Sequence, residues 1–134
     1  MKVCKFGGSS LADATQLNKV IDIVLADPAR RIVVVSAPGK RDKGDTKVTD
    51  LLIALANAAL KGEDTAAALK AVVDRYAEIA ATLKLGDGIV QAIEADLKGR
   101  LASVPAPATR DASGTVESEF MDLLKAAGED NNAK

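Results

Sequence analysis

The chain has 134 residues, 48% hydrophobic and 28% charged, with a formal net charge of −1. Such a length and composition fit a soluble globular domain, or part of a larger one, and exclude disorder as the dominant state. The balance of 18 basic and 19 acidic residues argues against generic nucleic-acid binding, and the lack of histidine with a single cysteine, Cys4, excludes Ser-His or Cys-His catalysis, the usual zinc sites and an internal disulfide.

No apolar run approaches the roughly 20 residues that a membrane span requires. No secretory signal precedes Lys2-Val3-Cys4-Lys5-Phe6, so cytoplasmic residence is the expected default. With only 2% aromatic residues, the core must be built from Ala, Val, Ile and Leu.

Val3 to Phe6 alternates apolar and polar residues and stops at Gly7-Gly8, which predicts a strand running into a tight turn. Leu17, Val20, Ile21, Val24 and Leu25 recur at helical spacing, predicting an amphipathic helix from Ala12 to Ala26 that ends at Asp27-Pro28. Ile32-Val33-Val34-Val35 is a continuous β-branched run, the pattern of a strand buried on both faces of a parallel sheet. Together these make a βαβ unit.

Ala37 to Thr46, with Pro38, Gly39, Gly44 and five charged residues, reads as a loop. Helical periodicity resumes at Val48, Leu51, Leu52, Leu55 and Ala56 and fades at Lys61-Gly62. Two Ala-rich helices follow, from about Asp64 to Leu85 and from about Gly88 to Leu101. After a break at Val104 to Pro107, a final helix is expected from Ser113 to Ala127, interrupted by Gly128. Two strands are few for five helices, so part of the sheet is expected to lie outside this chain.

Three places carry residues suited to chemistry. Lys5-Phe6-Gly7-Gly8-Ser9-Ser10 joins a strand to a helix, where paired glycines let backbone N–H groups approach an anion and the helix adds its positive end. It is neither a Walker A loop nor a dinucleotide fingerprint. The same residues also suit a plain turn in which Ser9 or Ser10 caps the helix. Ser36, after the second strand, and Thr49, opening the next helix, fall at the carboxyl edge of the sheet, where open α/β sheets bind ligands; each also suits an ordinary cap. Lys40, Arg41, Asp42, Lys43 and Asp45 either face solvent or form a mobile cover over an anion. Glu129, after Gly128, reads alone as a solvated helix-end carboxylate. Cys4 suits a small core residue and receives no role.

In order, these blocks resemble the aspartate kinases of the amino-acid kinase superfamily. Lys5 to Ser10 looks like the family's opening signature. Ile32-Val33-Val34-Val35-Ser36-Ala37 with Lys47-Val48-Thr49-Asp50-Leu51-Leu52 looks like its second block, and Gly128-Glu129 with Asn132-Ala133-Lys134 resembles its Ser-x-Gly-Glu block. Ala126-Ala127 stand where a Ser and a basic residue are usual, and Asp130-Asn131 where apolar residues are common.

The resemblance implies an α/β fold, the amino-terminal half of a three-layer αβα sandwich with a mainly parallel sheet, helix-rich in this fragment. Residues 1–134 would be the amino-terminal portion of the kinase domain, without the nucleotide-binding half and the ACT regulatory domains. It implies transfer of the γ-phosphoryl group of ATP to the side-chain carboxylate of L-aspartate, the first step towards lysine, threonine and methionine. Lys5 would be catalytic, stabilising charge on the transferring group, and would bind phosphate together with Gly7, Gly8 and Ser9. Ser36 and Thr49 would contact aspartate, and Glu129 its ammonium group. Mg2+ would be bound mostly by the missing half, with no metal ligand in this chain. No nucleic-acid or membrane partner is expected, and homo-oligomers would belong to the full-length protein. The isolated chain is expected to have little activity. The alternatives are another amino-acid kinase, acting on glutamate, acetylglutamate, carbamate or a nucleotide, and a non-catalytic binding or assembly module.

Overall fold

A computed structural model describes all 134 residues. The chain runs β1 (Lys2–Phe6), a 3-10 turn (Gly8–Leu11), α1 (Ala14–Leu25), β2 (Arg30–Val35), α2 (Val48–Lys61), α3 (Ala66–Thr82), α4 (Asp87–Leu101), a second 3-10 turn (Pro107–Thr109) and α5 (Thr115–Asn132). The two strands pair in parallel, with Lys5 opposite Val34 and Phe6 opposite Val35. The βαβ unit is therefore present, and both strands end at the same edge. No helix is long and apolar enough to cross a membrane.

Local chemistry sets the element ends. The Asp13 carboxylate accepts the Gln16 N–H at 2.9 Å and caps α1, so the cap is Asp13 rather than Ser9 or Ser10. The Asp27 carboxylate accepts the Ala29 N–H and the Lys2 ammonium, which closes the turn into β2. Gly62 ends α2 at φ 71°, a left-handed backbone that a glycine adopts without penalty.

The core lies among the helices. Leu52 and Leu55 of α2, Val72 of α3, Leu97 of α4 and Leu124 of α5 are fully buried, joined by Tyr76, Ile93 and Phe120. Burying each such aliphatic side chain contributes about 1.5–3 kcal/mol. The sheet is different. Ile32, Val33 and Val34 are each 42% exposed, so β2 is not buried on both faces as its composition suggests. A parallel strand needs a layer on each face, and here α1 packs against β2 while the other helices mainly pack on one another.

The last helix also differs from expectation. α5 continues through Gly128 to Asn132 instead of stopping at Ala127. A Cβ at Gly128 would lie 2.6 Å from Ala37 Cβ, so the glycine marks a close approach of α5 to the segment after β2. Packing outweighs the intrinsic helix cost of glycine, about 1 kcal/mol. Asp130 and Asn131 are accommodated by polar contacts to α4. The buried Asn131 amide donates to Asp96 at 2.8 Å, and Arg100 pairs with both Asp96 and Asp130. Burial alone would raise the Asp96 pKa, but the Asn131 and Arg100 bonds outweigh it and hold the carboxyl below its ordinary value.

Candidate functional site

The strand register brings Gly7 and Ser36 out of the sheet side by side, one residue beyond Phe6 and Val35. This is the carboxyl edge of the strands, where open α/β sheets bind ligands. Gly7 is extended, and the 3-10 turn after it is closed by the Ser10 N–H donating to the Gly7 carbonyl at 3.0 Å. Lys5 and Ser9 are exposed. Lys5 takes part in none of the ion pairs within the chain.

Three residues after Ser36 gather the remaining parts. The Gly39 N–H donates to the Gly8 carbonyl at 2.8 Å, and a Cβ at Gly39 would fall 2.6 Å from the Gly8 carbonyl carbon. The two glycine turns thus touch backbone to backbone, a contact only glycine permits. The Pro38 carbonyl accepts the Val48 N–H at 3.0 Å, which satisfies an open amide at the start of α2 and places Thr49 in its first turn. Ala37 packs against Gly128 of α5, and the Asn132 amide donates to the Ser36 carbonyl at 2.8 Å. Ala37-Pro38-Gly39 is therefore a hub touching the Gly7-Gly8-Ser9 turn, the start of α2 and the Gly128-Glu129 turn of α5. The backbone segments that carry Gly7, Gly8 and Ser9, Ser36, Thr49 and Glu129 thus meet at this hub, with Lys5 two residues before Gly7 on β1, although they span nearly the whole chain.

The hub is held by residues that motif reading misses. Tyr76 of α3 donates its hydroxyl to the Gly128 carbonyl at 2.9 Å. Burial, and after it the Glu129 carboxylate, push the Tyr76 phenol well above its usual pKa. Arg75, also buried, donates to the carbonyls of Ala12, Gly39 and Thr46. Its signal in the sequence is a cation on the apolar stripe of α3, between Val72 and Ile79 and beside Tyr76.

The charged loop is only partly free. Arg41 forms hydrogen bonds to Asp45 through its backbone and its guanidinium, and it reaches Glu78 of α3 at 2.5 Å. The Arg41 guanidinium holds the Asp45 carboxyl far below the ordinary carboxylate range, against the opposing effect of burial. Lys40, Asp42 and Lys43 remain exposed.

No three acidic, histidine or cysteine side chains converge on a point that could hold a metal ion. The residues present do not by themselves build a magnesium site.

Aspartokinase 3 of Bacillus subtilis is 50% identical over 134 residues, all of this chain and 28% of the relative. The crystal structure of Clostridium acetobutylicum aspartate kinase superposes with a TM-score of 0.79 at 31% identity, covering 97% of this chain and 27% of that one. Escherichia coli aspartokinase III in complex with aspartate and ADP superposes with a TM-score of 0.55 at 27% identity, over 97% of this chain and 26% of that one. The chain thus spans between a quarter and a third of these proteins. The profile of the amino acid kinase family matches residues 1–134, and with the glycine turns and strand register described above, it establishes that this chain belongs to the amino acid kinase family.

Proposed function

We propose that residues 1–134 form the acceptor-binding and phosphate-cradling portion of an aspartate kinase. The observation that carries this reading is the hub at Ala37-Pro38-Gly39, which joins the glycine turn after β1 to Ser36, Thr49 and the Gly128-Glu129 turn. The reaction is attack by a side-chain carboxylate oxygen of L-aspartate on the γ-phosphorus of ATP, giving 4-phospho-L-aspartate and ADP. Catalysis of this kind is mainly positioning and charge stabilisation, which suits a site without histidine or a covalent nucleophile.

In this reading the Lys5 ammonium offsets the negative charge that the transferring phosphoryl group spreads over its oxygens. Backbone N–H groups at Gly7, Gly8 and Ser9 cradle the phosphates. The Ser36 and Thr49 hydroxyls orient the aspartate carboxylates, and Glu129 takes the ammonium group. The similarity to a structure that holds aspartate and ADP supports this substrate pair. The exposed valines of β2 support a working form in which further polypeptide covers the sheet. Such a layer would supply the remaining nucleotide and magnesium contacts, so the chain alone turns over little or no substrate.

Calorimetric titration of the purified chain with L-aspartate and with Mg-ATP tests the proposal. Aspartate binding is expected, weakened about tenfold to a hundredfold by Glu129→Ala, since a hydrogen bond to a charged group contributes about 1.5–3 kcal/mol. Lys5→Ala should weaken nucleotide binding and spare aspartate. A folded chain that binds neither ligand refutes the reading.

A further inference from the structure

We infer that Arg75 is a positioning residue that sets the separation between the phosphate turn and the acceptor-binding segment. It lies within α3, outside the blocks that define the site by sequence. It is 5% exposed, which is rare for an arginine. Nη1 donates to the Thr46 carbonyl at 2.8 Å, and Nη2 donates to the carbonyls of Ala12 at 3.0 Å and Gly39 at 2.9 Å. Asp45 Oδ2 lies 3.2 Å from Nη1.

These carbonyls belong to two different loops. Ala12 ends the turn that begins at Gly8, while Gly39 and Thr46 bracket the connection from β2 to α2. One planar fork therefore fastens the Gly7-Gly8-Ser9 turn to the segment between Ser36 and Thr49. Group transfer depends on holding two reactants at a fixed separation, and errors near 1 Å are costly. An ammonium is a point charge on a flexible stem and cannot reproduce a rigid fork with divergent donors. Burial works against the guanidinium charge, and Asp45 partly restores it. A buried cation is itself a poor source of stability. Its geometry agrees with alignment of the loops as its role.

The functional half of this inference rests on the aspartate-site reading above; the loop-alignment half does not. Amide hydrogen exchange on the 134-residue chain tests both, with Arg75→Lys and Arg75→Ala. Arg75→Lys should lose roughly tenfold or more of the protection at the Gly39 and Val48 amides, while the amides of α4 and α5 keep theirs. Aspartate affinity should fall in parallel. Ethylguanidinium should restore Gly39 protection in Arg75→Ala, and ethylammonium at the same concentration should not. Unchanged protection at Gly39 and Val48 overturns the inference. A loss spread evenly over α4 and α5 also overturns it, because Arg75 would then be an ordinary core residue. If the parent chain binds no aspartate, the function proposed above fails, while the exchange pattern still decides whether Arg75 aligns the loops.

Discussion

Gly128→Ala should destabilise the protein although it replaces glycine with the best helix former. Within an unobstructed helix the change stabilises by about 1 kcal/mol. At Gly128 the new methyl carbon would sit 2.6 Å from Ala37 Cβ and 3.3 Å from Leu52 Cδ1, where carbon atoms normally rest about 3.5–4.0 Å apart. Relief requires α5 to retreat from the hub by about 1 Å, and overpacking of this kind costs about 1–3 kcal/mol. Retreat also stretches the Tyr76 bond to the Gly128 carbonyl and the Asn132 bond to the Ser36 carbonyl. The net expectation is a loss of about 1–2 kcal/mol and a fall in melting temperature of roughly 3–8 °C. Gly99, within α4, is the internal control: a Cβ there would meet nothing within 4 Å, so Gly99→Ala should gain up to about 1 kcal/mol. Urea unfolding followed by circular dichroism measures both. Adding Ala37→Gly to Gly128→Ala should recover about 1 kcal/mol through their coupling. Equal stabilisation by Gly128→Ala and Gly99→Ala would refute the close-approach argument.

Other expectations follow from the titrating groups around the hub. Tyr76 is the only tyrosine in the chain, so its ionisation can be followed by absorbance. Burial and Glu129 raise its pKa, so the stability it confers is complete below the ordinary tyrosine value of about 10 and is lost as pH climbs towards the raised value. The folded chain should show no tyrosinate at about pH 10–11, and a normal titration there would contradict the buried hydroxyl. Asp45 has the opposite sign: its pKa is depressed by the Arg41 guanidinium, so its contribution is present above about pH 4 and is lost as pH falls through the depressed value. The melting temperature should therefore drop more between about pH 4 and pH 2 in the parent chain than in Asp45→Asn. Equal losses would mean that the Arg41–Asp45 pair adds nothing to folding.

The helices and the βαβ opening were legible because their hydrophobic periods are strong and their ends carry Gly, Pro or Asp. The order of the Lys5–Ser10, Ser36–Thr49 and Gly128–Glu129 blocks was legible because glycine turns and hydroxyls after a β-branched run have recognisable local chemistry. What escaped depends on contacts distant in sequence. Gly128 looks like a helix breaker by propensity, and only the approach of Ala37 shows why a glycine sits inside α5. Ile32, Val33 and Val34 look like a doubly buried strand, but their exposure depends on which layers the chain supplies. Asn131 looks misplaced on a buried face until Asp96 of α4 accepts its amide. Arg75 follows the period of an apolar stripe, and nothing local marks the three loop carbonyls it grips.

The proposed aspartate site depends on the hub at Ala37-Pro38-Gly39 gathering segments from distant parts of the chain. The most direct measurement is a set of proton–nitrogen correlation spectra of the labelled chain during titration with L-aspartate. Saturable shifts are expected, confined to the amides around Ser36–Gly39, Val48–Thr49 and Gly128–Glu129, with the amides of α4 unmoved. Shifts elsewhere, or none in a chain whose spectrum shows it folded, would contradict it.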